Sequence, residues 1–254
     1  MKSKKSNSSI TDTADSVNET PAEERSNGAA KNIPRHIGII MDGNRRWATK
    51  RLLPRVAGHK AGVKNITAVV GSALERGVDC VTLYALSTEN KGRPKDEVDA
   101  LVDLIRKKLK SMTRELIERG ARITFSGDRS YFPDDVQQIM QDVESENTDT
   151  SAQVVNIALN YSGRSEIVRA AKLAAEKGEI TEESIAHELY TAELPELDMI
   201  VRTGGEKRLS NFLLYQAAYS ELFFTDTLWP DFDGKELNEM IDEFSHRSRR
   251  FGKL

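Results

Sequence analysis

Cysteine is all but missing from this chain. Cys80 is the only one, set in the apolar run CVTLYAL. A disulfide framework is excluded, and the thiol reads as buried and inert. Long apolar runs are missing as well. None approaches the roughly 20 residues that span a bilayer. The N-terminus also lacks the apolar stretch of a secretion signal, so a cytoplasmic protein is expected. Histidine is scarce: four, scattered, with no zinc spacing. No strong charge imbalance exists either. The net charge of −3 gives no global basic field. That argues against nucleic acid and confines any anion site to a local cluster. GxGxxG, GxxxxGK(S/T), HExxH and GxSxG are all absent.

What is present is a globular texture. Apolar residues make up 38% and charged residues 30%, enough for a sizeable core. Residues 1–32 stand apart. They are rich in Ser, Thr, Asn, Glu and Lys, with scarcely any large apolar side chain. They cannot bury enough surface to offset ordering entropy and are expected to be disordered. Residues 33–254 are expected to form one domain. Aliphatic runs at 37–41, 80–86, 121–126, 154–160, 199–202 and 222–224 suit strands covered on both faces. Helical patterns lie at 58–76, 94–119, 133–146, 163–177, 181–190, 209–219 and 234–250. Alternating strands and helices predict an α/β fold: a central, mostly parallel six-stranded sheet flanked by helices. Ligands of such folds gather at the carboxyl ends of the strands.

Three of those ends carry unusual chemistry. IGIIM runs into Asp42, Gly43, Asn44, Arg45, Arg46 and Trp47. A carboxylate there suits Mg²⁺ shared with a phosphate. Arg46, Arg55, His59 and Lys60 could grip a diphosphate, since the guanidinium fork matches phosphate oxygens. The same residues could instead form a solvated basic face. LYALSTEN ends in Ser87, Thr88, Glu89 and Asn90, which could orient a substrate or simply build a turn. MIVRTGGEKRLSN ends in Arg202, which wants an anionic partner after an aliphatic strand. Gly204 and Gly205 permit close backbone approach, and Arg208 follows. Ser210 is placed to cap the helix expected at 209–219, whose N-terminus would attract phosphate. Glu221 is either a second acid near a metal or an exposed acid at a strand start. A site for two diphosphates and one Mg²⁺ accounts for all three ends together.

These motifs occur in a familiar order: MDGNRRWA, RVAGH at 55–59, LYALSTEN, NIALNYSGR, RTGGEKRLSNFLLYQ and ELFFTDTLWPDF. Over about residues 34–252 the chain resembles the cis-prenyltransferase family, whose bacterial type is undecaprenyl diphosphate synthase. The resemblance implies a Mg²⁺-dependent homodimer that adds isopentenyl diphosphate repeatedly to an allylic diphosphate, usually farnesyl diphosphate. It implies that Asp42 is the metal ligand. Gly43, Asn44, Arg45 and Arg46 would line the allylic diphosphate, with Trp47, Arg55 and His59 alongside. Ser87, Thr88 and Glu89 match the substrate loop, Asn90 the asparagine of proton removal, and Arg93 a further contact. Arg202, Arg208, Leu209 and Ser210 match the isopentenyl diphosphate site, and Glu221 the second Mg²⁺ ligand. Two positions depart from the pattern. Arg45 stands where many bacterial members have glycine. Lys91 stands in the substrate loop where an aromatic commonly sits, which bears on loop closure and product length.

Two other classes fit the residues less well. A non-catalytic partner subunit would lack the aspartate motif and the diphosphate arginines. A phosphohydrolase using Asp42 as nucleophile would want another acid close by, which Gly43-Asn44 does not supply. An apolar product also suggests peripheral membrane contact. The basic tail HRSRRFGKL could assist it, or could be a solvated helix end or a dimer contact.

Overall fold

The computed structural model describes residues 32–92 and 95–247. The side chains at 91, 92 and 95 are not among those described. The segment expected to be disordered, Arg93, Pro94 and the tail after Arg247 therefore lie outside the described residues, apart from Asn32.

Six strands form one sheet: β1 (His36–Ile40), β2 (Cys80–Ser87), β3 (Arg122–Ser126), β4 (Val154–Tyr161), β5 (Met199–Arg202) and β6 (Glu221–Phe224). Their order is β3-β4-β2-β1-β5-β6, and every pairing is parallel. The sheet is thus wholly rather than mostly parallel among the described residues. Between the strands run α1 (Asn44–Lys50), α2 (Arg55–Glu75), α3 (Lys95–Glu118), α4 (Asp134–Glu146), α5 (Gly163–Lys177) and α6 (Glu182–His187), with α7 (Gly234–His246) at the end. The chain leaves β1 for β2 on one side and later lays β5 on the other side. The strand order therefore reverses between β1 and β5. Such a switch point opens a crevice beyond the strand ends, where ligands of open α/β sheets bind.

β1 shows how the sheet divides the interior. Ile37 and Ile39 join the larger core, with Val69 and Val70 of α2 and Leu83 of β2. Ile40 joins a smaller core on the opposite face, with Ile200, Phe212 and Leu213. Alternation along the pleat accounts for the split. Gly38 faces that second core, and a Cβ there would stand 3.0 Å from the Phe212 ring.

One sequence expectation fails here. Residues 209–219 do not form an α-helix. Ser210, Asn211 and Leu213 adopt left-handed backbone, with φ of 49, 63 and 42°. Only a 3₁₀ turn at Gln216–Tyr219 remains. The apolar residues in this stretch mimic helical spacing, but Phe212 and Leu213 are both fully buried against the sheet. Left-handed backbone at three of the four residues 210–213 breaks the helical ladder and wraps the chain over the sheet, so tertiary packing overrides the local pattern.

Glycines set the distance between α1 and α2. A Cβ on Gly58 would lie 2.0 Å from the Asn44 carbonyl oxygen, and one on Gly62 2.2 Å from Asn44 Oδ1. The spacing of four puts both on one helix face, so the helices meet backbone to backbone. Trp229 Nε1 donates to the Gly62 carbonyl at 2.9 Å and closes the same seam.

A polar chain crosses four strands under the second face. His36 Nδ1 lies 2.9 Å from the Pro195 carbonyl, so that nitrogen carries the proton. Nε2 then accepts from Thr82 Oγ1 at 2.7 Å. Thr82 accepts from Asn156 Nδ2, and Asn156 Oδ1 accepts from Thr124 and Ser126. Burial drives the His36 pKa down from 6.5 to about 4, only partly opposed by the Pro195 carbonyl and Asp198. Burial likewise pushes the Cys80 thiol up to about 12, in line with the inert thiol read from the sequence.

Two outcomes are expected. Gly58→Ala forces α1 off its seat and lowers unfolding free energy by about 3 kcal/mol, read by urea titration. His36 binds its proton more weakly folded than unfolded. Its contribution to stability is therefore complete above pH 6.5 and is lost as pH falls toward 4. Between pH 7 and pH 5, above the carboxylate range, the urea midpoint should fall for the wild type. In His36→Asn that slope should be shallower.

Candidate active site

Asp42 follows β1 at the switch point. Its Oδ2 accepts from Arg202 Nη2 at 3.0 Å, and its Oδ1 lies 3.1 Å from Arg46 Nη2. Burial raises its pKa, but the hydrogen bond from Arg202 and the charges of Arg46 and Arg202 outweigh that, leaving it below the ordinary value. The Asp42 carbonyl accepts from Thr203 Oγ1 at 2.7 Å and from the Trp229 amide at 3.0 Å. Three separate segments therefore fix this one residue. Gly43 precedes α1 as its N-cap at φ 113°, and a Cβ there would press within 2.9 Å of Leu228. Gly204 sits at φ 85°, where a Cβ would come within 2.6 Å of Arg46 Nη2. A side chain at Gly204 would push the Arg46 guanidinium away from the carboxylate, and one at Gly43 would drive the chain off Leu228.

Arg202 ends β5 and is 4% exposed. Besides Asp42 it donates to the Arg208 carbonyl and to Ser210 Oγ at 2.7 Å. Its Nε is buried with no hydrogen-bond partner. The sequence expected an anionic partner for Arg202, and Asp42 supplies it. Ser210 does not cap a helix; it is an acceptor for Arg202. Arg208 lies at the surface against Glu206.

Beyond the strand ends lies a cleft of about 770 Å³. It gathers Asp42, Asn44, His59, Ser87, Glu89, Asn90, Arg202, Arg208, Leu209 and Ser210 from the residues singled out in the sequence. Thr88 borders it through its hydroxyl, which donates to Glu89 at 3.2 Å. Burial raises the Glu89 pKa, yet hydrogen bonds, first from Asn211 and then from Ser87 and Thr88, bring it below the usual value.

Other expected residues lie elsewhere. Arg45 is exposed on α1. Trp47 turns outward: Nε1 donates to Asp231 at 2.6 Å, and Arg51 stacks on its ring at 4.2 Å. Arg55 opens α2 and meets Glu97 at 3.4 Å, beside a separate hollow. Glu221 is not brought to Asp42 within this chain. It begins β6 in register with Met199, three residues short of Arg202, and binds Arg247 at 2.7 Å. At about 3.3 Å per residue it lies roughly 10 Å back along the sheet from the cleft end. Glu221 is an acid at a strand start, and because the strands run parallel that start lies at the opposite end of the sheet from the cleft.

Arg164 and Asn211 are cleft residues that the sequence did not point to. Arg164 lines the cleft from the first turn of α5, just past β4. The strand-end rule applied to the other strands would have found it in NYSGR. Asn211 joins three loops. Its Nδ2 donates to Glu89 Oε1 at 2.6 Å and to Ser162 Oγ at 2.7 Å, and its Oδ1 accepts from the Arg164 amide at 2.9 Å. No sequence signal marks it beyond its place after Ser210.

The cleft continues into an apolar chamber of about 100 Å³ between α2, α3 and the sheet. Val63, Ile66, Leu83, Leu104, Leu109 and Ile157 are among its walls. Met41, Asn44, His59, Ala85 and Leu101 line both spaces, so charge and hydrocarbon meet at one boundary.

A prenyltransferase family model described as undecaprenyl diphosphate synthase matches residues 40–252. This chain belongs to that family. An isoprenyl transferase of Streptococcus mutans is 49% identical over 232 residues, covering 87% of this chain and 93% of that one. A relative from Xanthomonas axonopodis pv. citri is 46% identical over 228 residues, covering 87% of this chain and 89% of that one. It is named ditrans,polycis-undecaprenyl-diphosphate synthase, specific for (2E,6E)-farnesyl diphosphate. The crystal structure of lavandulyl diphosphate synthase from Lavandula x intermedia, in complex with dimethylallyl diphosphate, superposes with a TM-score of 0.84 at 33% identity. It covers 87% of this chain and 99% of that one. The protein is accordingly a transferase of the prenyltransferase type.

Asn211→Ala should leave the fold in place and lower kcat/KM on the order of 100-fold, because three loops lose a common tether. Steady-state kinetics with unfolding controls measure this, and Asn211→Asp should not restore activity, since a carboxylate would face Glu89.

Proposed function

We propose that the protein condenses isopentenyl diphosphate repeatedly onto an allylic diphosphate, farnesyl diphosphate first, with cis geometry. The product is a polyprenyl diphosphate such as undecaprenyl diphosphate. One observation carries this reading: a cleft walled by Asp42, Arg202 and Arg208 opens directly into an apolar chamber. A molecule with a diphosphate head and a hydrocarbon tail matches both halves.

The charge balance of the cleft bears on the cofactor. Its lining holds Arg164, Arg202 and Arg208 against Asp42 and Glu89. Three cations less two anions leave +1, too little for two diphosphates. Among the described residues no cluster of three or more acids, histidines or cysteines could hold a metal alone. A single carboxylate completed by substrate phosphates is the donor set that suits Mg²⁺. We place Mg²⁺ on Asp42, where it would neutralise the leaving diphosphate. Glu221 stays a proposal as a second ligand, one that needs a contribution from outside the arrangement seen in this chain.

The residues of the chain supply the rest. Arg46 presents its guanidinium group to a diphosphate held at Asp42 and stabilises the charge that gathers on it as the allylic bond breaks. Arg208 and Ser210, with Arg202, orient the second diphosphate so that its alkene meets the allylic carbon. Asn90 stands at the cleft rim for proton removal. As a neutral amide it is a weak base, so it positions the proton toward a phosphate oxygen. Leu83, Leu104 and Ile157 exclude water from the growing chain. The protein acts as a homodimer, and its poorly soluble product favours peripheral contact with a membrane.

Asp42→Asn is the cleaner test, since Asp42→Ala also strips buried Arg202 of its partner. The asparagine variant should lose at least about 10³-fold in condensation with a near-normal melting temperature. Purified protein with labelled isopentenyl diphosphate, Mg²⁺ and farnesyl diphosphate should give a product ladder ending at one length. Full activity of the variant, or no incorporation by folded wild type, would sink the reading.

A further inference from the structure

The turn between α1 and α2 holds an anomaly. α1 ends in a Schellman arrangement. The Leu53 amide donates to the Ala48 carbonyl at 2.9 Å, and the Leu52 amide to the Thr49 carbonyl at 3.1 Å. The residue after the cap then sits in left-handed backbone, a position that glycine fills without strain. Here it is Leu52, at φ 55°. Its side chain is 95% exposed, so no packing offsets the strain. Leu53 and Val56 beside it are 44% and 40% exposed. A strained, solvent-facing leucine among further exposed aliphatics points to a role outside the fold.

Charge names the occupant. From Gly43 to Leu74 the sequence has seven Lys or Arg and no Asp or Glu, in a chain of net charge −3. Asp231 and Glu97 pair with Arg51 and Arg55. Arg45, Lys50, Lys60 and Lys64 are exposed and form no ion pair with a described residue. A second copy docked about a two-fold would set this basic stretch against itself. A bilayer with anionic headgroups takes both features, since aliphatic side chains enter the interface while lysines and arginines meet phosphate. We infer that the α1–α2 turn is an interfacial anchor that docks the enzyme on an anionic phospholipid surface.

Its placement suits the proposed function, on which this part of the inference rests. A hollow of about 150 Å³ beside Arg55 and Val56 shares His59, Leu101 and Leu104 with the apolar chamber. A polyprenyl tail leaving between α2 and α3 would meet the bilayer there without crossing water.

Flotation of the full chain with vesicles tests the anchor without substrate. The wild type should float with equimolar phosphatidylcholine and phosphatidylglycerol, not with phosphatidylcholine alone, and binding should weaken as salt rises. Leu52→Gly should lower partition roughly tenfold. It should melt no lower than wild type, because glycine suits that backbone. Leu53→Ser should weaken partition further. Condensation by Leu52→Gly in detergent should equal that of wild type. Equal flotation of Leu52→Gly and wild type, no flotation of wild type, or a change of oligomeric mass in Leu52→Gly would each overturn the anchor. Vesicle binding by a wild type that condenses nothing would leave the anchor standing and count against the proposed function alone.

Discussion

The bridge from Asp42 to Arg202 is the contact on which the site depends. It ties the end of β1 to the end of β5 across the point where the strand order reverses. Arg202 is almost fully buried, and a buried guanidinium without an anion costs several kcal/mol. Asp42 satisfies that requirement, and Arg202 in turn keeps Asp42 ionised. The pair also anchors its surroundings. Arg202 draws in the Arg208 carbonyl and the Ser210 hydroxyl, while Arg46 reaches both the carboxylate and the Gly204 carbonyl.

From that bridge the rest of the architecture follows. Arg46 can approach only because α1 lies flat against Gly58 and Gly62, and because Gly204 leaves room for its guanidinium. The segment 208–213 can hang from Arg202 only by leaving helical geometry, which frees Asn211 to link Glu89, Ser162 and the start of α5. Stability and chemistry therefore share the same atoms. The ion pairs that hold the strand ends together are those that would face a diphosphate, and the aliphatic walls of α2 and α3 continue the core into the chamber.

Much of this was legible beforehand. β5 occupies the predicted residues 199–202, and the other strands begin or end within one residue of their aliphatic runs. Burial on both faces leaves a continuous aliphatic signature. α2 starts at Arg55, three residues before the apolar helical spacing begins, because Arg55 and Val56 of its first turn are exposed and add nothing to the buried stripe. The stretch 209–219 misled, because its leucines and Phe212 fall at helical spacing while packing demanded a wrap. Trp47 was drawn to the site by its neighbours in sequence, but Asp231 and Arg51 hold it outside.

Local pattern is enough to reveal the alternation of elements, the buried thiol, the confinement of charge chemistry to strand ends and the family. These are local or cumulative properties that composition and spacing record directly. Tertiary structure alone decided which ends meet. Parallel register sent Glu221 away from Asp42, and the reversal of strand order brought Arg202 to it over 160 residues. Such juxtapositions arise from the order of strands in the sheet. No run of neighbouring residues encodes that order, because the energy that sets it is the burial of whole helix and sheet faces against one another.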